Sequence, residues 1–169
     1  IGFIGAGIMG QGMVQNLLKA GNDVSIIANK NRSPIEALVA LGAKEMASLS
    51  EMVSRCNCFI LCLPSSKVAI SVCDELFPLL YPGTLIIDCT TNDLASVEKL
   101  GKNAKKAKLK YVEAPLTGGQ QQSFDAMLGA IVGCDEGNFK IASNILKPCC
   151  AQIEWLGCLG MGAKTKLVS

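Results

Sequence analysis

The sequence predicts a doubly wound α/β fold, a mostly parallel sheet with helices on both faces. Short apolar runs alternate with helical patterns along the whole chain, and runs such as 58–64 and 84–89 are apolar at successive positions. Strands of that kind are buried on both sides, which is typical of a parallel sheet between two helical layers. A length of 169 residues favours one domain, so 1–169 is interpreted as a single folding unit.

The apolar runs that have the composition of strands lie at 1–4, 24–28, 43–46, 58–64, 84–89, 109–115, 128–133 and 152–156. Apolar residues recur on one helical side between these runs, which predicts helices at 8–20, 34–41, before 55, 67–80, 93–107 and 135–147. Gly21 ends the first helix with a left-handed cap, and Pro34 opens the second. Ser48 or Ser50 is expected to cap the third helix and Asn92 the fifth.

Composition and charge exclude several classes of protein. Apolar residues make up 50% of the chain, 18% are charged and the net charge is +2, which is globular and not disordered. One run is basic and contains Lys102, Lys105, Lys106, Lys108 and Lys110. Without interleaved aromatic residues or further arginine, it is interpreted as a solvated helix end, and no nucleic-acid partner is expected. No apolar run is long enough to span a bilayer, so no membrane partner is expected either.

The chain has nine cysteines and no histidine. The spacing Cys56-x-Cys58 does not fit a zinc knuckle and no second pair follows, so no metal site is expected. Cys62 and Cys89 lie in apolar runs and are expected to fill core positions in a reducing compartment, the cytoplasm. Because the chain starts with a strand, a secretory signal is not expected. The chain starts in mid-strand and stops inside an apolar pattern, which favours one domain of a longer polypeptide.

The segment Gly5-Ala6-Gly7-Ile8-Met9-Gly10 fits the pattern G-x-G-x-x-G, which is weak when it stands alone. Here it follows a strand directly and opens a helix, the context that a dinucleotide-binding turn requires. Gly5 permits the tight turn, Gly7 lets the backbone approach a pyrophosphate, and Gly10 lets the helix pack on the strand. The helix start offers N–H donors and positive partial charge to phosphates. The alternative is a helix-packing turn without a ligand.

The end of the second strand indicates which nicotinamide dinucleotide is bound. Sites that prefer NAD usually place Asp or Glu there, about 20 residues after the glycines, to hold the ribose hydroxyls. This chain instead has Asn29 and Lys30, with Arg32 following. Lys30 and Arg32 can meet a 2′-phosphate, so NADP is favoured, with NAD as the other choice. The alternative is that both are ordinary surface charges.

The residue types also restrict the chemistry. Without histidine there is neither an imidazole general acid nor a Ser–His–Asp triad. Leu85 and Pro115 stand four residues after Tyr81 and Tyr111, so the Tyr-x-x-x-Lys pair of short-chain dehydrogenases is missing. Proton transfer therefore needs another side chain, and lysine is the natural candidate.

Several motifs occur in order along the chain: GFIGAGIMGQGMVQNLLKAG (2–21), ILCLPSS (60–66), IIDCTT (86–91), EAPLTGG (113–119), LGAIVGC (128–134) and GCLGMGAKTK (157–166). Together they resemble the β-hydroxyacid dehydrogenase family, which includes 3-hydroxyisobutyrate dehydrogenase, tartronate semialdehyde reductase and the glyoxylate/succinic semialdehyde reductases. The resemblance covers the whole chain and implies a Rossmann-type cofactor domain. It also implies that an all-helical C-terminal domain lies beyond Ser169, where it completes the active site and builds a homo-oligomer.

The resemblance implies a cofactor path through several loops. The family's phosphate turn falls on residues 5–10. Its Leu-Pro pair, which lines the adenosine and nicotinamide-ribose path, falls on Leu63 and Pro64. Its Ser-Thr pair, which lies near the nicotinamide, falls on Thr90 and Thr91.

The resemblance also implies a substrate site and a catalytic residue. The family's substrate-binding stretch includes Thr117, Gly118 and Gly119, which offer a hydroxyl and bare N–H groups to a substrate carboxylate. The family's catalytic lysine falls on Lys166, with Lys164 as a local rival. The pattern differs from the usual one at several positions: Thr117 replaces Ser, Glu113 replaces Asp, and glutamines occupy 120–122.

These observations lead to one main hypothesis about function. The chain belongs to an oxidoreductase that transfers a hydride between NAD(P)(H) and a small β-hydroxy acid or its semialdehyde, with Lys166 as general acid/base. The isolated domain is expected to bind cofactor but to turn over poorly. The alternatives are an imine reductase, an enzyme like 6-phosphogluconate dehydrogenase, and a non-catalytic dinucleotide-binding module.

Overall fold

The structure is a computed structural model that describes residues 1–28 and 31–168. Asn29 and Lys30, both assigned to the cofactor from the sequence, lie outside the described residues. The described chain forms a six-stranded parallel sheet, a three-stranded sheet, and helices that cover the main sheet on both faces. The predicted fold class is therefore confirmed.

The main sheet has the strands β1 (Gly2–Ile4), β2 (Ser25–Ile27), β3 (Lys44–Met46), β4 (Cys58–Leu61), β5 (Leu85–Asp88) and β6 (Lys110–Glu113). They are parallel and lie in the order β3-β2-β1-β4-β5-β6. The chain order reverses between β1 and β4. In open α/β sheets, ligands bind at such a reversal, beyond the carboxyl ends of the strands.

The helices are α1 (Ile8–Lys19), α2 (Ser33–Ala40), α3 (Leu49–Arg55), α4 (Ser66–Leu76), α5 (Leu94–Lys106), α6 (Gln120–Phe124), α7 (Glu136–Leu146) and α8 (Met161–Val168). Each face of the main sheet has its own core. Phe3 and Ile60 lie in one apolar cluster, and their strand neighbours Ile4 and Phe59 lie in the other. Adjacent residues of one strand are thus buried on opposite faces, as the unbroken apolar runs predicted.

The second sheet contains β7 (Leu116–Thr117), β8 (Leu128–Val132) and β9 (Cys150–Trp155). β7 is antiparallel to β8, and β8 is parallel to β9. Glu113 and Gly133 exchange both backbone hydrogen bonds, at 3.2 and 3.0 Å, and join the end of β6 to the end of β8. The last two predicted strands therefore exist, but in a separate sheet that starts where β6 ends.

Two helix boundaries show how well local signals work. Ser48 caps α3, because its Oγ accepts a hydrogen bond from the N–H of Glu51 at 3.1 Å. The helix predicted to run to residue 80 ends at Leu76, and a short 3₁₀ turn over Phe77–Leu79 follows. Pro78 has no N–H with which to continue an α-helix.

The predicted cap of α5 is wrong by one residue. Asp93, not Asn92, accepts the hydrogen bond from the N–H of Ser96, at 2.9 Å. Asn92 is buried instead, and its Nδ2 donates to Asp88 at 2.8 Å. Asn and Asp are almost equally good caps, so the sequence alone does not decide between neighbours.

All nine cysteines are free thiols. The buried ones are Cys58, Cys73, Cys89, Cys134, Cys149 and Cys150. Burial raises the pKa of Cys58 to about 11 and that of the half-buried Cys62 to about 12. Such thiols stay protonated and pack as small apolar side chains. Within residues 1–28 and 31–168, no cluster of Cys, Asp and Glu has an arrangement that could hold a metal ion, and no helix is long and apolar enough to cross a bilayer.

Candidate cofactor and substrate site

The turn after β1 needs its glycines for different reasons. Gly5 has a φ of +105°, and a Cβ there would collide with the carbonyl oxygen of Cys62. A Cβ on Gly10 would collide with the carbonyl oxygen of Gly5. These two positions require glycine for the fold itself. A Cβ on Gly7 would meet no atom within 4 Å, so the backbone there borders open space.

A cleft of about 660 Å³ opens in front of this turn, at the point where the strand order reverses. The residues that line the cleft include Gly7 and Ile8 from the turn after β1, Leu63 and Pro64 from the loop after β4, and Asn31. Gly7 is the N-cap residue of α1 and contributes no capping side chain. The unpaired N–H groups at the start of α1, and the positive end of its dipole, are therefore directed toward this cleft.

Arg32, at the start of α2, is already paired. Its Nη1 and Nη2 donate to Oε1 and Oε2 of Glu45 on β3, at 3.0 and 3.1 Å. The Arg32 side chain is 56% exposed. A phosphate that binds Arg32 would therefore share the guanidinium with Glu45 or displace Glu45 from it.

The loops that follow β4 and β5 are tied together through Thr90. The N–H of Leu63 donates to Oγ1 of Thr90 at 3.0 Å, and the N–H of Thr90 donates to Asp88 at 2.9 Å. Thr90 is buried, whereas its neighbour Thr91 is exposed at the sheet edge. Thr90 is thus a structural link, and Thr91 is the member of the pair that a ligand can reach.

Asp88, the last residue of β5, is a fully buried carboxylate. It accepts hydrogen bonds from the hydroxyl of Tyr111 at 2.7 Å, from Asn92 Nδ2 at 2.8 Å and from the N–H of Thr90 at 2.9 Å. Burial raises the pKa of Asp88, and these hydrogen bonds oppose the increase. The carboxylate links the end of β5 to β6 and, through Thr90, to the loop that follows β4.

The Thr117–Gly119 loop follows β6. Thr117 pairs with Gly129 of β8, where a Cβ would collide with the Thr117 hydroxyl oxygen. Gly118 has a φ of +116°, which favours glycine. The N–H of Gly119 donates to Oε1 of Gln122 at 2.7 Å. One of the N–H groups predicted to bind a carboxylate is therefore engaged by a side chain of the next helix.

Helix α6 connects this loop to helix α1. The Oγ of Ser123 donates to the carbonyl oxygen of Met9 at 2.6 Å, and Asn16 Nδ2 donates to the carbonyl oxygen of Ser123 at 2.8 Å. Gly12 permits this close approach, because a Cβ there would lie 2.5 Å from the carbonyl carbon of Ser123. The Thr117–Gly119 loop and the glycine turn are thus parts of one packed unit.

Helix α8 begins at the buried carboxylate of Glu113. The N–H groups of Gly160, Gly162 and Ala163 donate to this carboxylate at 2.5, 2.9 and 3.0 Å. Burial raises the pKa of Glu113, and these hydrogen bonds oppose the increase. Lys166 lies farther along the same helix and is half-buried.

The two candidate lysines differ in environment. Lys164 is exposed to solvent, whereas Lys166 is half-buried. α8 packs on β8 through Gly162, where a Cβ would lie 2.8 Å from the carbonyl oxygen of Ile131. Because β8 pairs with β7, the lysine helix and the strand that ends in Thr117 belong to one small assembly.

Strands β1, β4, β5 and β6 are neighbours, so their carboxyl ends form a row. The row carries, in order, the phosphate turn, Leu63–Pro64, Thr91 and Glu113. Adjacent strands lie about 4.8 Å apart, so the row spans roughly 14 Å. The structure brings the predicted cofactor loops to one edge. No structural role was predicted from the sequence for the side chains of Asp88 and Glu113. Each is an acidic residue at the end of an apolar strand, and that position was the signal that could have identified them.

A sequence profile of the NAD binding domain of 6-phosphogluconate dehydrogenase matches residues 1–157. The chain belongs to this family. The matched region contains the whole six-stranded sheet and its glycine turn. The family's dinucleotide-binding domain therefore includes the residues that border the cleft. The predicted class of dinucleotide-binding domain is confirmed.

The NAD-binding domain has relatives among reductases and dehydrogenases. It is 34% identical over 171 residues to glyoxylate/succinic semialdehyde reductase 2, chloroplastic, of Arabidopsis thaliana, covering 99% of this chain and 48% of the reductase. It is 29% identical over 168 residues to the mitochondrial 3-hydroxyisobutyrate dehydrogenase of Drosophila melanogaster, covering 99% and 52%. The chain therefore spans about half the length of these relatives. The predicted resemblance to the β-hydroxyacid dehydrogenases is confirmed.

Solved structures agree with this assignment. The NAD-binding domain matches 3-hydroxyisobutyrate dehydrogenase of Mycobacterium tuberculosis, in a structure with L-serine, at a TM-score of 0.94 and 27% identity. The match covers 99% of this chain and 57% of that one. An imine reductase from Pseudomonas sp. matches at a TM-score of 0.88 and 24% identity, with 99% and 58% covered, and shares the fold.

Proposed function

We propose that this chain is the cofactor half of an oxidoreductase that transfers a hydride between NAD(P)(H) and a small β-hydroxy acid or its semialdehyde. The supporting observation is the row of strand ends at one sheet edge. It carries a glycine turn open to a phosphate-sized ligand, a threonine–glycine loop and the anchor of a lysine-bearing helix. The identity to a semialdehyde reductase supports the substrate class.

Residues 5–10 are proposed to hold the pyrophosphate. Gly5 and Gly10 have no room for a Cβ, while Gly7 has open space in front of it, as a bound phosphate requires. The N–H groups at the start of α1 would donate to the phosphate oxygens. Leu63 and Pro64 would line the path toward Thr91 and the nicotinamide. The residues present therefore fit a dinucleotide.

NADP is proposed as the preferred cofactor, with NAD as the alternative. Asn29, Lys30 and Arg32 would surround the 2′-phosphate. Arg32 offers a planar pair of donors that already binds the Glu45 carboxylate through two hydrogen bonds, the arrangement by which arginine also binds phosphate. The second strand has no acidic residue at its end to favour ribose hydroxyls.

A small substrate carboxylate is proposed to bind at Thr117, Gly118 and Gly119, with Gln122 releasing the N–H of Gly119. The ammonium of Lys166 would donate its proton to the substrate's carbonyl oxygen during reduction, and the amine would take the proton back in the oxidative direction. The bound nicotinamide supplies or accepts the hydride. The packing of α8 on β8 would keep Lys166 at a constant distance from the substrate loop.

The whole protein is proposed to be longer than residues 1–169, because the chain spans 48% of the Arabidopsis reductase. A C-terminal all-helical domain would complete the active site and form a homo-oligomer, so residues 1–169 alone would bind cofactor and turn over poorly. We place the protein in the cytoplasm, where free thiols persist. Two relatives are named chloroplastic and mitochondrial, so an organelle is the alternative location. Cell fractionation distinguishes between the two locations.

The first test is calorimetric titration of this chain with NADPH and NADH, followed by a substrate panel on the full-length protein. We expect NADPH to bind more tightly than NADH, and we expect turnover of glyoxylate, succinic semialdehyde or 3-hydroxyisobutyrate. Reduction of cyclic imines alone would favour an imine reductase, and oxidation of a sugar phosphate would favour a 6-phosphogluconate dehydrogenase. Cofactor binding without any turnover would favour a non-catalytic module, and no dinucleotide binding would reject the proposal.

A further inference from the structure

Glu113 is a buried carboxylate at the edge of the site, and the proposed chemistry gives it no task. It is 1% exposed and ends β6, next to the loop that leads to Thr117. We propose that Glu113 is a positioning residue: its carboxylate holds the start of α8 and thereby fixes Lys166 relative to the substrate loop. The inference rests on the proposed function, because the acid/base role of Lys166 is what makes its position matter.

The carboxylate fits a socket made of backbone. The N–H groups of Gly160, Gly162 and Ala163 surround it at 2.5, 2.9 and 3.0 Å. A Cβ on Gly133 would collide with its Oε1, and a Cβ on Gly162 would lie 3.1 Å from its Cδ. The main chain of Glu113 also exchanges two hydrogen bonds with Gly133. Side chain and main chain together fix the position of this residue.

The socket is the first turn of the lysine helix. α8 begins at Met161, so Gly162 and Ala163 belong to its first turn, where backbone N–H groups have no partner inside the helix. A carboxylate there pairs with these groups and lies at the positive end of the helix dipole. A helix of eight residues gains little stability from its own hydrogen bonds, so its direction depends on its tertiary anchors.

The carboxyl end of β6 positions both the substrate loop at Thr117 and the helix that carries Lys166. Thr117 follows Glu113 by four residues, and Lys166 follows Gly162 by four residues, about 6 Å along the helix axis. A small tilt of α8 would move the amine relative to the substrate loop without affecting the phosphate turn at the far end of the row. A misplacement of about 1 Å can cost about a hundredfold in rate.

The test uses the full-length protein with Glu113→Gln, which keeps the size of the side chain but places an NH₂ donor against N–H donors. Glu113→Asp retains the charge on a shorter side chain, and Glu98→Gln removes an exposed carboxylate of α5 as the matched control. We expect kcat to fall about ten- to a hundredfold in Glu113→Gln and less in Glu113→Asp. The Kd for NADPH should stay within about twofold, because the phosphate turn is untouched. Amide exchange at 160–163 should accelerate most in Glu113→Gln, less in Glu113→Asp and not at all in Glu98→Gln.

A Glu113→Gln kcat equal to that of the wild type would overturn the inference. A parallel fall of kcat and cofactor affinity would overturn it too, because that pattern is general loss of structure. If Glu113→Gln does not fold, Glu113→Asp decides by the same two measurements. A wild-type protein that binds NADPH but reduces no substrate of the panel would instead reject the proposed function, and this inference with it.

Discussion

The N–H of Leu63 donates to the hydroxyl oxygen of Thr90 at 3.0 Å, and this bond joins the ends of β4 and β5. Leu63 lines the cleft in front of the glycine turn. Thr90 is in turn held by Asp88, which also binds Tyr111 of β6. The cleft wall is therefore connected by hydrogen bonds across three neighbouring strands, β4, β5 and β6.

Replacing Thr90 by valine tests this connection, because valine keeps the shape and removes the acceptor. The partly buried N–H of Leu63 then loses its partner, at a cost of about 1–3 kcal/mol in unfolding free energy. We expect a lower melting temperature and a several-fold higher Kd for NADPH. Thr84→Val is the control, because the Thr84 hydroxyl bonds Tyr81 at an exposed turn before the same strand. Equal effects from the two substitutions would contradict this role of Thr90.

The glycine turn allows ligand binding to be separated from folding. Gly7→Ala places a methyl group in open space, so the melting temperature should stay within about 2 °C of wild type. The methyl would occupy the position of the pyrophosphate, and the Kd for NADPH should rise at least about tenfold, since backbone approach is lost.

Gly10→Ala is the matched comparison. Its methyl would collide with the carbonyl oxygen of Gly5, so overpacking should lower the unfolding free energy by about 1–3 kcal/mol. Thermal melts and calorimetric titrations of both variants make the comparison. Wild-type NADPH affinity in Gly7→Ala would show that the turn does not bind the phosphates.

The pair formed by Arg32 and Glu45 bears on cofactor choice. Arg32→Ala should raise the Kd for NADPH about tenfold, as expected for one charge-assisted contact, and leave NADH within about twofold. Glu45→Gln should lower the Kd for NADPH, because Arg32 no longer shares its guanidinium with a carboxylate. Parallel titrations with the two cofactors measure both effects. Equal losses of NADPH and NADH affinity in Arg32→Ala would count against a 2′-phosphate site there.

The buried carboxylate of Glu113 predicts how the unfolding free energy depends on pH. Burial raises the pKa of Glu113 above its ordinary value of 4.5. Between the two values the folded chain holds a proton that the unfolded chain has released, so the stability contribution of this group falls as pH rises through that window. The amide in Glu113→Gln does not titrate. The unfolding free energy of this variant, relative to that of wild type, should therefore increase as pH rises through that window. Urea titrations across that range measure it, and a shift in favour of wild type would contradict the stated direction.

Much of the main sheet could be predicted from sequence because its signals are local. Apolar runs, helix periodicity and residues such as Pro34 and Ser48 each determine a few neighbouring positions. The separate sheet of β7, β8 and β9 was not predicted, because strand pairing depends on contacts distant in sequence, such as that between Glu113 and Gly133. Helices α6 and α8 were missed as well: α6 spans only five residues, and α8 begins at the carboxylate of Glu113, which is distant from it in the sequence.

In the candidate site, too, the features with a local sequence signal were predicted and those that depend on contacts distant in sequence were not. The glycine turn is contiguous in sequence, and its geometry was predicted residue by residue. Glu113 and Ala163 are 50 residues apart, so the socket that starts α8 leaves no spacing pattern in the sequence. Gln122 was noted only as a departure from the family, although its side chain engages Gly119. Side-chain contacts between distant segments were the part that only the structure could supply.

Steady-state turnover of the full-length protein carrying Lys166→Ala measures whether this lysine is the general acid/base, with Lys164→Ala on the same helix as its control. We expect Lys166→Ala to lower kcat by about 10²–10⁴, the usual contribution of a general acid, and to leave the Kd for NADPH nearly unchanged. Lys164→Ala should behave as wild type. Unchanged turnover in Lys166→Ala would show that Lys166 is not the general acid/base.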